Sequence, residues 1–146
     1  MPQEPAFNES ARFLAIDYGL KRIGLALSDP LNLFAYPFKT ILQDQHLWNE
    51  LEKIIQEKNV NKIILGYPYK SGGGRSGIAI AIEKFAKDLT KRFAIEIIFW
   101  DEHYTSAIAQ AKILESVTKK SKRRDKGLLD MNSAAIILQE YINSLN

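Results

Sequence analysis

Three observations predict an α/β fold, a mixed five-stranded sheet flanked by helices in the order βββαβαβαα. Short apolar runs closed by turn residues open the chain, two later apolar runs alternate with stretches of helical period, and two helical segments end it. The length of 146 residues with 46% apolar and 25% charged side chains is that of an ordinary globular chain able to bury a core unaided. The expected organisation is a short N-terminal arm over residues 1–11 and a single domain over 12–146.

The first element is the run Phe13, Leu14, Ala15, Ile16, which stops at Asp17 and reads as a buried strand ending in a carboxylate. Tyr18 to Lys21, with Gly19, supply a hairpin turn into a second strand over Arg22 to Ser28, closed by Asp29-Pro30. Leu33 to Ile41 is a third strand, and Pro37 restricts it to an edge. Leu47, Trp48, Leu51, Ile54 and Ile55 recur at helical spacing behind Asp44, a candidate cap, so residues 44–58 form an amphipathic helix.

Lys62 to Leu65 is a short strand, and Tyr67 to Ser76 is a loop with Pro68 and three glycines. Ile78, Ala81, Ile82, Phe85, Leu89 and Phe93 repeat with helical period, and Ile95 to Trp100 is a last strand. Strands alternating with helices imply parallel pairing through crossovers. Helices over residues 105–116 and 127–143 follow, separated by a polar stretch. Trp48 and Trp100 fall on core positions rather than on a base-stacking platform.

Several chemistries are excluded at once. Without cysteine there is no disulfide framework, thiolate nucleophile or thiolate zinc site. The first twelve residues lack the basic and apolar regions of a signal peptide, and no apolar run is long enough to span a membrane, so a cytoplasmic protein is expected. Only two histidines are present, with no arrangement that suggests a Ser-His pair.

Ligands of such sheets gather at the carboxyl ends of parallel strands. Two of those ends are acidic here: Asp17 after the first strand and Asp101-Glu102 after the last. A lone Asp-x-Gly is most often a turn aspartate bonding its own backbone. Company changes that reading, because Asp130 is expected in the first turn of the final helix, where the macrodipole favours an anion. Ala134, one turn on, would let that helix lie close to the sheet. Two Asp and a Glu are hard oxygen donors that select Mg²⁺ or Mn²⁺. Two such ions activate water and stabilise the leaving oxygen in phosphodiester hydrolysis, so no nucleophilic side chain is needed.

These residues stand in four ordered motifs. They are Asp17-Tyr-Gly-Leu-Lys-Arg-Ile-Gly-Leu-Ala-Leu-Ser-Asp29, Leu65-Gly-Tyr-Pro68, Asp101-Glu-His-Tyr-Thr105, and Lys126-Gly-Leu-Leu-Asp130 with Ala134-Ala135-Ile-Ile-Leu-Gln139. From Arg12 to Ile142 the chain resembles the YqgF (RuvX) family, described as pre-16S rRNA nucleases and earlier as Holliday junction resolvases. The resemblance implies a ribonuclease H-like fold, a divalent-metal nuclease with an acidic site at Asp17, Glu102 and Asp130, and a part in 5′-end maturation of 16S rRNA. The partners it implies are structured RNA, pre-16S rRNA or pre-ribosomal particles, with branched DNA as the alternative. Two departures stand out: His103 occupies a position where the family usually has Arg, and Ser106 one where Thr is common. Exchanging an always-charged fork for an imidazole puts a phosphate or carboxylate contact there in question.

Gly72-Gly73-Gly74-Arg75-Ser76-Gly77 matches G-x-G-x-x-G literally, but five residues including Pro68 part it from Gly66, whereas a dinucleotide fingerprint turns directly at the strand end. A flexible loop, or a lid presenting Lys70 and Arg75 to phosphates, fits better. Lys119, Lys120, Lys122, Arg123, Arg124 and Lys126 oppose Asp125 alone and carry a local +5, which leaves the remainder of this +3 chain slightly acidic. Such a run is commonly a solvated loop. Just ahead of the helix with Asp130 it would grip phosphates, and Lys21 and Arg22 would extend that surface. A non-catalytic RNA-binding or ribosome-binding module is the competing class. A nucleotide-phosphate enzyme of the actin and sugar-kinase type needs two such domains, more chain than is present here.

Overall fold

The computed structural model describes residues 11–68, 77–101 and 126–145, with the side chains of 126–128 excepted. Five strands, β1 (Arg12–Tyr18), β2 (Arg22–Ser28), β3 (Ala35–Leu42), β4 (Val60–Tyr67) and β5 (Glu96–Asp101), form one sheet in the order β3-β2-β1-β4-β5. β1–β2 and β2–β3 are antiparallel, while β4 and β5 run parallel to β1. The predicted mixed sheet is therefore observed, and the described elements follow the predicted order. Pro37 lies on an edge strand, where its missing N–H costs no ladder bond on the open side.

Helices α1 (Leu47–Glu57) and α2 (Gly77–Arg92) cover one face, and α3 (Lys126–Ser144) covers the other. Strand alternation divides the side chains between them. Leu14, Ile16, Ile23, Leu25, Leu27, Ile63 and Leu65 join Leu51, Ile82, Phe85 and Leu89 beneath α1 and α2. Phe13, Ala15, Ala26 and Ile64 join Ala134, Ile137, Leu138, Tyr141 and Ile142 of α3. Both tryptophans pack against these cores, Trp48 on the ring of Phe85 and Trp100 edge-on to Tyr141.

Some local expectations need correction. Asp44 does not cap α1: the helix starts at Leu47, His46 occupies the cap position without a side-chain bond, and the Asp44 carboxylate accepts the His46 N–H at 2.8 Å. Asp44 thus builds the turn before the helix, as short acidic side chains do. β4 is longer than the run Lys62 to Leu65, because Asn59, at φ 53°, makes the left-handed turn that lets Val60 start the strand directly. Asp29 closes the β2–β3 loop by accepting the N–H groups of Leu33 and Phe34, each at 2.7 Å, and that of Leu31 at 3.1 Å. Those amides hold its carboxyl below the usual range.

Candidate active site

Asp17 stands near the C-terminal end of β1, and its register partner on β2 is Gly24. Phe13 and Ala15 face α3, so two residues on Asp17 faces α3 as well. Gly24 has to be glycine. A Cβ built there would come within 2.2 Å of the Asp130 carbonyl carbon and oxygen and 2.7 Å of the Asp130 Cβ. The backbone of α3 therefore lies directly on β2 at this position. Asp17 approaches the same register position from β1 and Asp130 from above.

The residues under α3 taper toward this point. In the paired strands Ala15 opposes Ala26 and Asp17 opposes Gly24, whereas at the far end Phe13 meets the Tyr141 ring edge-on at 5.6 Å. Large rings keep α3 off the sheet at one end, and a missing side chain lets it descend at the other. Polar contacts fix the helix about its own axis. The Gln139 side chain accepts from Ala35 N at 2.8 Å and donates to Leu33 O at 3.3 Å, Trp100 donates to Glu140 at 3.1 Å, and the Lys62 ammonium reaches the Tyr141 hydroxyl at 2.9 Å. Lys62 also lies over the rings of Phe13 and Tyr141, and the Tyr141 oxygen raises its pKa.

Arg22 shares the α3 face of β2 with Gly24, and its Nε lies 3.2 Å from Asp130 Oδ2, with both side chains one-quarter exposed. Arg22 is thus engaged with the candidate site's own carboxylate. Lys21, in the hairpin turn, is exposed. One correction concerns Asp130: α3 begins at Lys126, which puts the acid beyond the first turn, so the macrodipole argument does not apply. Ala134 is fully buried in the cluster it forms with Ala15 and Ala26 under the helix. Gly24 marks a point where the helix backbone meets the strand, and a single glycine inside an apolar strand was the available signal.

Trp100 faces α3, so Asp101 lies on the opposite face together with Ile97. Glu102, His103 and Ser106 lie outside the described residues, as do Lys70, Arg75, Lys119, Lys120, Lys122, Arg123, Arg124, the side chain of Lys126, the glycine loop 72–76 and the expected helix over 105–116. Among the described residues no group of three acids or histidines converges. Asp17 and Asp130 are hard oxygen donors brought to one glycine-cleared spot, and the chemistry of that donor set suits Mg²⁺ or Mn²⁺.

The family model described as "RuvX: Holliday junction resolvase" matches residues 11–144. The chain belongs to the RuvX family. A relative from Amoebophilus asiaticus named "Putative pre-16S rRNA nuclease" is 40% identical over 91% of this chain and 94% of its own length. One of the same name from Dictyoglomus turgidum is 41% identical over 92% and 96%. Among solved structures, Thermus thermophilus RuvC in complex with a Holliday junction substrate superposes with a TM-score of 0.57 at 10% identity, covering 92% of this chain and 95% of that one. Fowlpox virus resolvase with junction DNA gives 0.55 at 15% identity over 92% and 98%. This RuvX chain therefore shares the RuvC-like sheet and helix arrangement, and no described helix is long and apolar enough to cross a membrane.

Proposed function

We propose that this RuvX protein is a divalent-metal-dependent nuclease that hydrolyses phosphodiester bonds in 5′-end maturation of pre-16S rRNA, acting in the cytoplasm. The single observation that carries the reading is the convergence of Asp17 and Asp130 on Gly24, where the sheet gives up a side chain to admit an acid-bearing helix. With Asp101 on the far face, Glu102 is the acid of that pair assigned to the site. Bound Mg²⁺ or Mn²⁺, two ions in this reading, would supply an activated water and stabilise the departing oxygen. The protein's own part is positional. Arg22 holds one oxygen of Asp130 and offsets its charge, and the taper under α3 sets the height of that carboxylate above β1. The basic segment 119–126, with Lys21, Lys70 and Arg75, is assigned to the phosphate backbone, which positions a substrate without reading its sequence.

The names of the curated relatives favour rRNA, while the family description and the solved junction complexes favour branched DNA as the second reading. Asp17→Asn and Asp130→Asn each keep shape and remove charge. Both are expected to lose Mn²⁺-dependent cleavage of a precursor 16S rRNA fragment while retaining the wild-type melting curve. Cleavage by either variant at the wild-type rate refutes the assignment. A four-way DNA junction assayed in parallel decides between the substrates.

A further inference from the structure

Beside Asp130 the protein has a pocket of about 430 Å³, lined by Gly19, Leu20, Lys21, Arg22, Ile78, Leu129 and Asp130. The β1–β2 turn forms one wall, the start of α2 a second and the start of α3 a third. Phosphodiester hydrolysis at two carboxylates has no use for aliphatic walls, yet Leu20, Ile78 and Leu129 supply them. Leu20 is 70% exposed at the tip of the turn, next to the exposed Lys21, and contributes little to the core. Apolar walls, joined in the lining by an exposed turn residue, Lys21, and by an acid of the candidate site, match a nucleotide: a flat apolar base joined to an anion. The volume lies within the range of about 300–1,000 Å³ typical of small-molecule sites.

We propose that this pocket receives one unpaired nucleoside next to the phosphate presented to Asp17 and Asp130, with Lys21 on the flanking phosphate. The proposal rests on the nuclease reading and adds a substrate class to it. A base inside a duplex is stacked and paired, and only an unpaired nucleotide can enter a pocket without the cost of extrusion. The protein then selects single-stranded ends or loops of a structured RNA over continuous duplex.

The test reads binding apart from cleavage. Short single-stranded oligoribonucleotides carry a fluorescent purine analogue at successive positions and are titrated with the full chain in Ca²⁺ in place of Mg²⁺, alongside the same strands annealed to their complements. The analogue should change its emission at one position of the single strand and at none in the duplex. Leu20→Ala, which shortens a mostly exposed side chain outside the core, should weaken single-strand binding about five- to tenfold. An absent signal, an equal signal from the duplex, or unchanged affinity in Leu20→Ala overturns the pocket assignment. If the binding pattern holds but Mn²⁺ then yields no product, the pocket stands and the nuclease reading falls. If RNA is cut while duplex and single strand are indistinguishable, the nuclease reading stands and the pocket falls.

Discussion

The two faces of the sheet are built from side chains of different size, and they do different work. Under α1 and α2, β1, β2 and β4 present leucines and isoleucines that are fully buried. Under α3 the first two of those strands present Ala15, Ala26 and Gly24, with Ile64 on β4 and Ile98 and Trp100 on β5 beside them, and Phe13 meets Tyr141 at the far end. Large aliphatic residues remove the most apolar area per residue and so carry the stability. Small ones bury less but set a short distance between backbone elements. The first face holds the protein together, and the second places an acid.

Truncation on the aliphatic face separates these roles most strongly. Leu51 is fully buried in α1, and Leu51→Ala should cost about 2–5 kcal/mol of folding free energy through lost transfer and a residual cavity. Its cleavage rate, measured well below the new melting temperature, should match wild type because no α3 contact is touched. A rate that falls while the protein remains folded would show that the two faces are mechanically coupled and that the division is wrong.

Gly24→Ala makes the converse test and should have a smaller effect on stability. The added methyl meets backbone atoms of Asp130, which cannot rotate away as a flexible side chain would. Overpacking of this kind costs about 1–3 kcal/mol. The loss of cleavage should exceed anything the folded fraction explains, since the helix has to rise at the residue that bears the carboxylate. Denaturant melts and single-turnover cleavage on the same preparation give the two numbers. Activity that simply follows the folded fraction would mean that the height of α3 does not control the site.

Most of the scaffold was legible because its signals are local. Runs such as Phe13 to Ile16 and the helical period from Ile78 to Phe93 depend on a few neighbouring residues, and both became the elements expected. The convergence of Asp17 with Asp130 was legible only as a possibility, since it follows from which strands are adjacent and how a helix crosses them. Gly24 was passed over as one more small residue in an apolar strand, because nothing local says what lies above it. The ion pair of Arg22 was illegible for the same reason, since its partner Asp130 lies more than a hundred residues away. Sequence periodicity assigned the faces, but the closest approach between them is a tertiary fact.

The smallest effect expected lies at the end of the sheet away from the site. The Asp29 carboxylate accepts three backbone amides, and they favour its charged form and lower its pKa from the ordinary 3.8. Its contribution is therefore fully present above about pH 3.8 and is lost as pH falls through the lowered folded value. Asp29→Asn keeps a side-chain carbonyl to accept amides but cannot ionise, so it should lower the melting temperature slightly near neutrality and make its acid limb shallower than that of the wild type. The β2–β3 loop adjoins Ala35 and Leu33, which Gln139 of α3 clasps, so it anchors the far end of the helix whose near end carries Asp130. If the variant retains the full acid limb, the loop contributes nothing through ionisation, and α3 is anchored without the charge of Asp29.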